Sequence, residues 1–494
     1  MVINVKKVIN LEKIDRNIII GFFLNVLLGA GSFVVSGENS LERIVLWIIV
    51  FVVNVCFVGS INRNQIPVCL ILAIWQWTLM LEIVYRMKRY VNTPFEIMYV
   101  FDIIALVYSI SCLARRIRSL DLPLILLLIL IVYCILVTAM NNSNWMDCGR
   151  TLILILRFVG IFIYFSGNDF EVPKWCWYIY AVTIAAFVAE LLLGIPKDFR
   201  NGIFGYEYAA AMMQFVITAA FAYFFCKYIK RQIKINIVLI LFLVNELIYV
   251  GAEQKAEIIM FPIWCVIVVL LSRMDRERKA LASGGAIVGM SCIWTITTII
   301  YPQFLSLSNT NALQAIMARF NGIGSYKMMA QEELWNLERS TLLQKIFGNG
   351  TGISLPPRYV SWVINTGKSS DELLNILKFS DVYEKYSNTY RYFSSNYINI
   401  VFDIGFVGIA LLLIIFMLLL FRSVYLFRYG EEFYDILLGS VGIWQGIELG
   451  FRTINNMILI NPLSIAVSLA LYGMISRKYN LLMKNDLIMN TADL

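Results

Sequence analysis

Six cations stand between the long apolar runs of the chain: Arg150, Arg200, Lys255, Arg319, Arg339 and Arg452. A planar guanidinium donates two parallel hydrogen bonds, so a group of arginines suits the paired oxygens of a phosphate or pyrophosphate. Cations in loops also rest on lipid headgroups, and residue type alone does not separate the two uses. Among the ionisable residues inside the apolar runs, nine are candidates for a buried polar site: Glu82, Asp102, Arg157, Glu190, Glu207, Glu246, Glu257, Asp403 and Glu448. The chain has no histidine, which removes Ser-His-Asp triads, Cys-His dyads and HExxH zinc sites. Its nine cysteines are scattered, without a CxxC pair, and read as small core hydrophobes.

The elements that must position these groups follow from composition. Of 494 residues, 60% are hydrophobic and 15% charged, against about 45–50% and about 25% in soluble domains. This is the balance of a polytopic membrane protein. Apolar runs of spanning length occur at 17–36, 44–61, 66–85, 95–113, 122–140, 151–166, 175–194, 204–226, 235–251, 257–272, 281–301, 397–421, 433–450 and 456–475. The expected fold is therefore all-α, with about fourteen transmembrane helices: eleven over 1–301, three over 397–475, and a tail over 476–494. Residues 302–396 are the one long polar segment, a large and partly helical loop. The first run follows Lys6, Lys7, Lys13 and Arg16 without an A-x-A site, and reads as a retained helix rather than a signal peptide.

Lysines and arginines sort between alternate loops, twenty-two on the side of the N-terminus and nine in the opposite short loops. The positive-inside rule then places both termini in the cytoplasm and the 302–396 loop outside. The net charge of +8 is thus an orientation signal before it is a nucleic-acid signal. With this topology all nine of these candidates fall in outer halves. Each costs at least roughly 2.5–3.5 kcal/mol in hydrocarbon, so such groups face a partner or a cavity unless they snorkel to the interface. One-sided placement predicts a polar site open to the outer face, whereas a proton-coupled transporter would place acids near the midplane.

The outer loop carries AIMARFNGIGSYKMM around Arg319, LERSTLLQKIFGNGTGI after Arg339, and SSNYINIVFDIGFVGIALLLIIF at its close. This order resembles the O-antigen ligase/polymerase family, the Wzy-type bacterial polysaccharide polymerases. The matching features are Arg339 to Gly350 at R-x10-G spacing, the turn glycines Gly348, Gly350 and Gly352, and Asp403, Gly405 and Gly408. Upstream, RNGIFGYEYAA from Arg200 is similar to the family's Arg-x-x-Gly-x-Phe segment, and GAEQKAE puts Lys255 where that family has an arginine. Ser395-Asn396 stands where ligases of the family carry a His beside the Asn. The missing histidine favours polymerase over ligase.

The resemblance implies a glycosyltransferase of the membrane C type. Its donor and acceptor would be undecaprenyl pyrophosphate-linked oligosaccharides, and a flippase and chain-length regulator would be its protein partners. Arg319 and Arg339, assisted by Arg200 and Lys255, would hold the leaving pyrophosphate. The base would be Glu246, Asp403 or Glu190. Asp403 is equally a helix N-terminal charge favoured by the dipole. Tyr390, Tyr392 and Asn396 could line a glycan groove, although Tyr383, Tyr386 and Tyr390 also have the spacing of a buried helix stripe. The outer loop shows no DxD pair, so neither metal nor other cofactor is expected.

Overall fold

The computed structural model describes residues 8–9, 16–34, 40–60, 67–78, 93–116, 121–143, 145–170, 176–195, 200, 202, 210–252, 257–300, 341–351, 397–455 and 462–492. These residues form sixteen helices and one pair of two-residue strands. The helices are α1 (Arg16–Val34), α2 (Ser40–Ser60), α3 (Val68–Thr78), α4 (Thr93–Arg116), α5 (Leu122–Met140), α6 (Trp145–Leu156), α7 (Val159–Gly167) and α8 (Cys176–Leu192). They continue with α9 (Ala210–Ile229), α10 (Ile235–Gly251), α11 (Glu257–Leu271), α12 (Arg276–Ile300), α13 (Leu342–Phe347), α14 (Tyr397–Tyr429), α15 (Phe433–Asn455) and α16 (Pro462–Ala492). Strand β1 (Val8–Ile9) pairs in parallel with β2 (Asp169–Phe170).

Among the described residues, Leu122–Met140, Met212–Ile229 and Ile400–Tyr429 are helices long and apolar enough to cross a membrane. On α5, Ile125, Ile129, Val132 and Leu136 recur at helical spacing and are exposed, while Leu124, Leu130, Ile131 and Cys134 are buried. A helix that is apolar on both its packed and its open face is suited to hydrocarbon rather than water.

Two packed clusters meet along α7 and α16. Val159, Phe162 and Ile163 of α7 join the larger cluster built mainly on α9, α10, α11 and α15, whereas Phe158, Ile161 and Phe165 join the smaller one on α1 to α4. Helix α16 divides in the same way, with Leu471, Tyr472 and Ile475 in the first and Ala466 and Ala470 in the second. Small residues permit this closeness. A Cβ on Gly439 would stand 2.4 Å from the Phe427 backbone nitrogen, and one on Gly473 would stand 2.7 Å from the Phe162 carbonyl.

Residues assigned to one side by the loop charges meet others of that side. Arg422 donates to both carboxylate oxygens of Asp121, at 2.8 Å to Oδ1, and to Ser476 Oγ at 2.7 Å. Lys478 Nζ stands 2.7 Å from Glu432 Oε2 and 3.2 Å from Asp435 Oδ1. Lys230 donates to the Glu431 carbonyl, Arg477 to that of Gly167, and Arg231 pairs with Asp275. Several of these residues lie on helices that run past the apolar stretches read from hydropathy. Arg422 and Arg428 lie within α14 rather than after it, and the segment from Arg477 onward continues α16 to Ala492. A helix persists past the apolar run because its ladder is satisfied internally and its charges find partners, whereas hydropathy registers only the transfer term.

The run 151–166 is two helices, separated at Arg157 and Phe158. A break inside an apolar bundle must return hydrogen bonds to the backbone groups it frees. Ser109 of α4 does so: its hydroxyl donates to the Arg157 carbonyl at 2.7 Å and accepts from Gly160 N at 3.0 Å. The Arg157 side chain, 1% exposed, lies 2.5 Å from Asp102 Oδ1, and Gln76 Nε2 donates to the same oxygen at 2.8 Å. Two of the nine intramembrane charges are therefore partners of each other.

Candidate functional site

The short helix α13 opens the described part of the 302–396 loop. Thr341 caps it by accepting from Gln344 N, while the Gln344 side chain returns to Thr341 N in a capping box. Gly348 ends it with φ +98°, and the chain then turns through Asn349, Gly350 and Thr351 into a gap in α14. That helix is interrupted at Gly405, where φ is +64° and ψ −174°.

An interruption there deprives the preceding carbonyls of their ladder donors, and the turn supplies substitutes. Asn349 donates to the Phe402 carbonyl through both its backbone nitrogen and Nδ2, each at 3.0 Å. Gly350 N donates to Asp403 O at 3.0 Å, and Tyr133 Oη shares its proton between Ile404 O at 3.0 Å and Phe347 O at 2.8 Å. The C-terminal end of α5 closes the assembly: Asn141 Nδ2 donates to Gly348 O, Ser143 Oγ to Asn349 O, and Thr351 Oγ1 donates to the Cys134 carbonyl. Asn349, Thr351 and Asp403 are all buried. The glycine turn and the Asp403-Gly405-Gly408 segment, separate motifs in the sequence, are thus one docked unit.

A second cluster lies between α9, α10, α11 and α15. Glu246 and Tyr249 share a face of α10, Trp444 and Glu448 share one of α15, and Phe261 and Cys265 share one of α11. Tyr249 Oη is 3.0 Å from Thr218 Oγ1 of α9, and the carboxyl groups of Glu257, Glu246 and Glu448 lie near enough to act on it electrostatically. Glu246 also acts on Cys265, and Glu448 on Tyr472 of α16. Aromatic rings pack around these acids. Phe261 stacks on Trp264 at 5.7 Å and meets Tyr249 at 5.6 Å, and Trp264 meets Trp444 at 5.9 Å. Trp264 Nε1 donates to the Ser440 carbonyl. Both carboxylate oxygens of Glu246 and the indole nitrogen of Trp444 are buried without a hydrogen-bond partner among the described residues.

At the rim, Arg200 Nε donates to Ile195 O at 2.7 Å and Nη1 to Gly251 O at 2.9 Å, tying the α8–α9 connection to the end of α10. Glu190 Oε2 accepts from Gly202 N at 2.9 Å. These two residues hold the backbone of the connection in this structure, the guanidinium through carbonyls and the carboxylate through an amide.

The three carboxylates considered as bases thus occupy three settings: Glu190 at the rim, Asp403 at the docked turn, and Glu246 in the aromatic cluster. Lys255, Arg319, Arg339, Tyr390, Tyr392 and Asn396 lie outside the described residues, as do Glu82, Glu207, Tyr383 and Tyr386. Arg150 and Arg452 fall on α6 and α15, with side chains outside the description. Sequence reasoning missed Tyr133, Asn141, Ser143 and Asn349, which seat the turn, and Thr218, Tyr249 and Trp444, which surround the acids. Nothing in local spacing marks them, because each acquires its part from a segment distant in the chain. No family model and no curated protein matches the chain.

Proposed function

We propose that this chain polymerises lipid-linked oligosaccharide units into a surface polysaccharide at the outer face of a bacterial cytoplasmic membrane. It would do so as a membrane glycosyltransferase with about fourteen spans and both termini in the cytoplasm. The observation that carries the reading is the docking of the Gly348–Thr351 turn into the break of α14. It joins two of the motifs on which the resemblance to the Wzy-type polymerases rests. Arg339 precedes the capping Thr341 by two residues of sequence.

In the proposed reaction the acceptor hydroxyl oxygen forms a bond to the anomeric carbon of the donor sugar. The bond from that carbon to the pyrophosphate breaks, its electron pair leaves with the phosphate, and the hydroxyl proton passes to a carboxylate. Arg319 and Arg339, with Arg200 and Lys255, would stabilise the departing charge. Asp403, Glu190 or Glu246 would take the proton. Tyr390, Tyr392 and Asn396 would contact the glycan, and no divalent metal would be required. The substrate would be an undecaprenyl pyrophosphate-linked oligosaccharide that enters from the membrane lipids, and the flippase and chain-length regulator would act beside the enzyme.

Ion pairs close the end opposite the docked turn, through Arg422 with Asp121 and Lys478 with Glu432. This supports a site worked from one face over a translocation path. Arg319→Ala and Arg339→Ala should each lower chain elongation by roughly 10²–10³-fold, the scale of losing one donor to a developing oxyanion. Surface glycan would then consist of single repeat units. Lipid-linked units retained on the cytoplasmic side would identify a transporter instead, and full-length chains left on their lipid carrier would identify a ligase. A tag inserted in 302–396 that is reachable only from the cytoplasm would overturn the reading.

A further inference from the structure

Glu246 is fully buried on α10, and neither of its carboxylate oxygens meets a hydrogen-bond donor among the described residues. An ionised carboxylate held this way, out of water and without a partner, is strongly disfavoured, so the group neutralises instead. We infer that Glu246 is a proton-binding site, and that it carries its proton for as long as α9, α10, α11 and α15 remain packed around it.

The neighbours on each element agree with this. From α9 comes the Thr218 hydroxyl, already engaged with Tyr249. From α11 comes the Cys265 thiol, near enough for Glu246 to act on it, while the Glu257 carboxyl of α11 and the Glu448 carboxyl of α15 act on Tyr249, three residues along α10. From α8, Tyr180 donates to Asn245, the residue beside Glu246, not to Glu246 itself. Arg200 at the rim spends donors on two carbonyls. Among the described residues no three metal-ligating side chains converge.

Two consequences follow. The carboxyl is a proton store in the packed state and becomes a base only once water or a substrate separates the four helices. Release of the proton and loosening of this cluster are then the same event, and external pH acts on both. The inference stands whether or not the chain polymerises glycans, because its test measures the proton directly.

Infrared spectra of the full-length protein in lipid nanodiscs at neutral pH provide that test. The expected result is the carbonyl stretch of an un-ionised carboxylic acid, displaced by isotope-labelled glutamate, lost in Glu246→Gln and retained in Glu448→Gln and Glu257→Gln. If Glu246→Gln does not accumulate as folded protein, Glu246→Asp replaces it, and the expected result is a shift of the same band. Absence of the band from the wild type, or its persistence unchanged in the Glu246 variants, would overturn the assignment. So would its disappearance on adding sodium at constant pH, which would make the site one for a metal cation.

Discussion

Replacing Gly405 by alanine should cost about 2–5 kcal/mol and strip the 341–351 unit from the bundle. Two costs arise together. The residue sits at φ +64°, where an L-side chain pays about 1–2 kcal/mol. A Cβ would also lie 2.4 Å from both Gly348 N and the Ile346 carbonyl, so backbone must give way to backbone, an overpacking penalty of typically 1–3 kcal/mol. Gly348→Ala attacks the same joint from the other side: its φ is +98°, and its Cβ would meet the Asp403 carbonyl at 2.2 Å. Either variant should lower the melting temperature of the purified protein and expose the 302–396 segment to protease. Gly284→Ala is the control, since a Cβ there meets nothing within 4 Å, and in a helix the change should be neutral or slightly stabilising. Equal melting temperatures for Gly405→Ala and Gly284→Ala would show that the turn does not hold the break together.

Asp102→Ala should destabilise the protein by about 3–5 kcal/mol, because it takes from the buried Arg157 guanidinium the carboxylate it pairs with. The pair is 2.5 Å apart with side chains 1% and 0% exposed, so water cannot take over the lost role. Arg157→Met should cost a similar amount by stranding Asp102 and its Gln76 contact. The double variant Asp102→Leu with Arg157→Met should recover most of the loss, since an apolar pair of similar volume asks for no desolvation. The measurement is a double-mutant cycle on melting temperature and on the fraction of monodisperse protein after extraction. Additive losses in the double variant would mean that the two side chains act separately and that their proximity is incidental. The cycle also bears on the break in the α6–α7 segment, because Arg157 supplies the carbonyl that Ser109 binds.

Much of the architecture was legible beforehand. Helices α1, α2, α5 and α8 to α12 begin and end near their apolar runs, because hydropathy and helix ladders are properties of contiguous residues. Arg422 pairs with Asp121, and Lys230 donates to the Glu431 carbonyl, contacts that no count of loop charges names. The extent of α14 and α16 was less legible, since Arg422 and Arg477 look like loop residues until their partners are seen. Of the nine charges placed in outer halves, the sequence showed a common depth and could not say that Asp102 and Arg157 answer each other, fifty-five residues apart.

The candidate site divides in the same way. Gly348 and Gly405 could each be singled out as residues of a turn and a helix start, but their contact, fifty-seven residues apart in the chain, could not. Glu246, Asp403 and Glu190 were three equivalent acids in the sequence. The tertiary structure gave one of them a backbone amide, seated the second at a docked turn, and left the third buried without a donor among the described residues. The amino-acid sequence alone determined that this chain is helical, apolar and asymmetric in charge, because each of those properties is a sum over single residues or over neighbours within a turn. Which buried polar groups are satisfied was decided only by tertiary structure, because a hydrogen bond or ion pair depends on the separation of two atoms, and folding sets that separation for residues the chain keeps far apart.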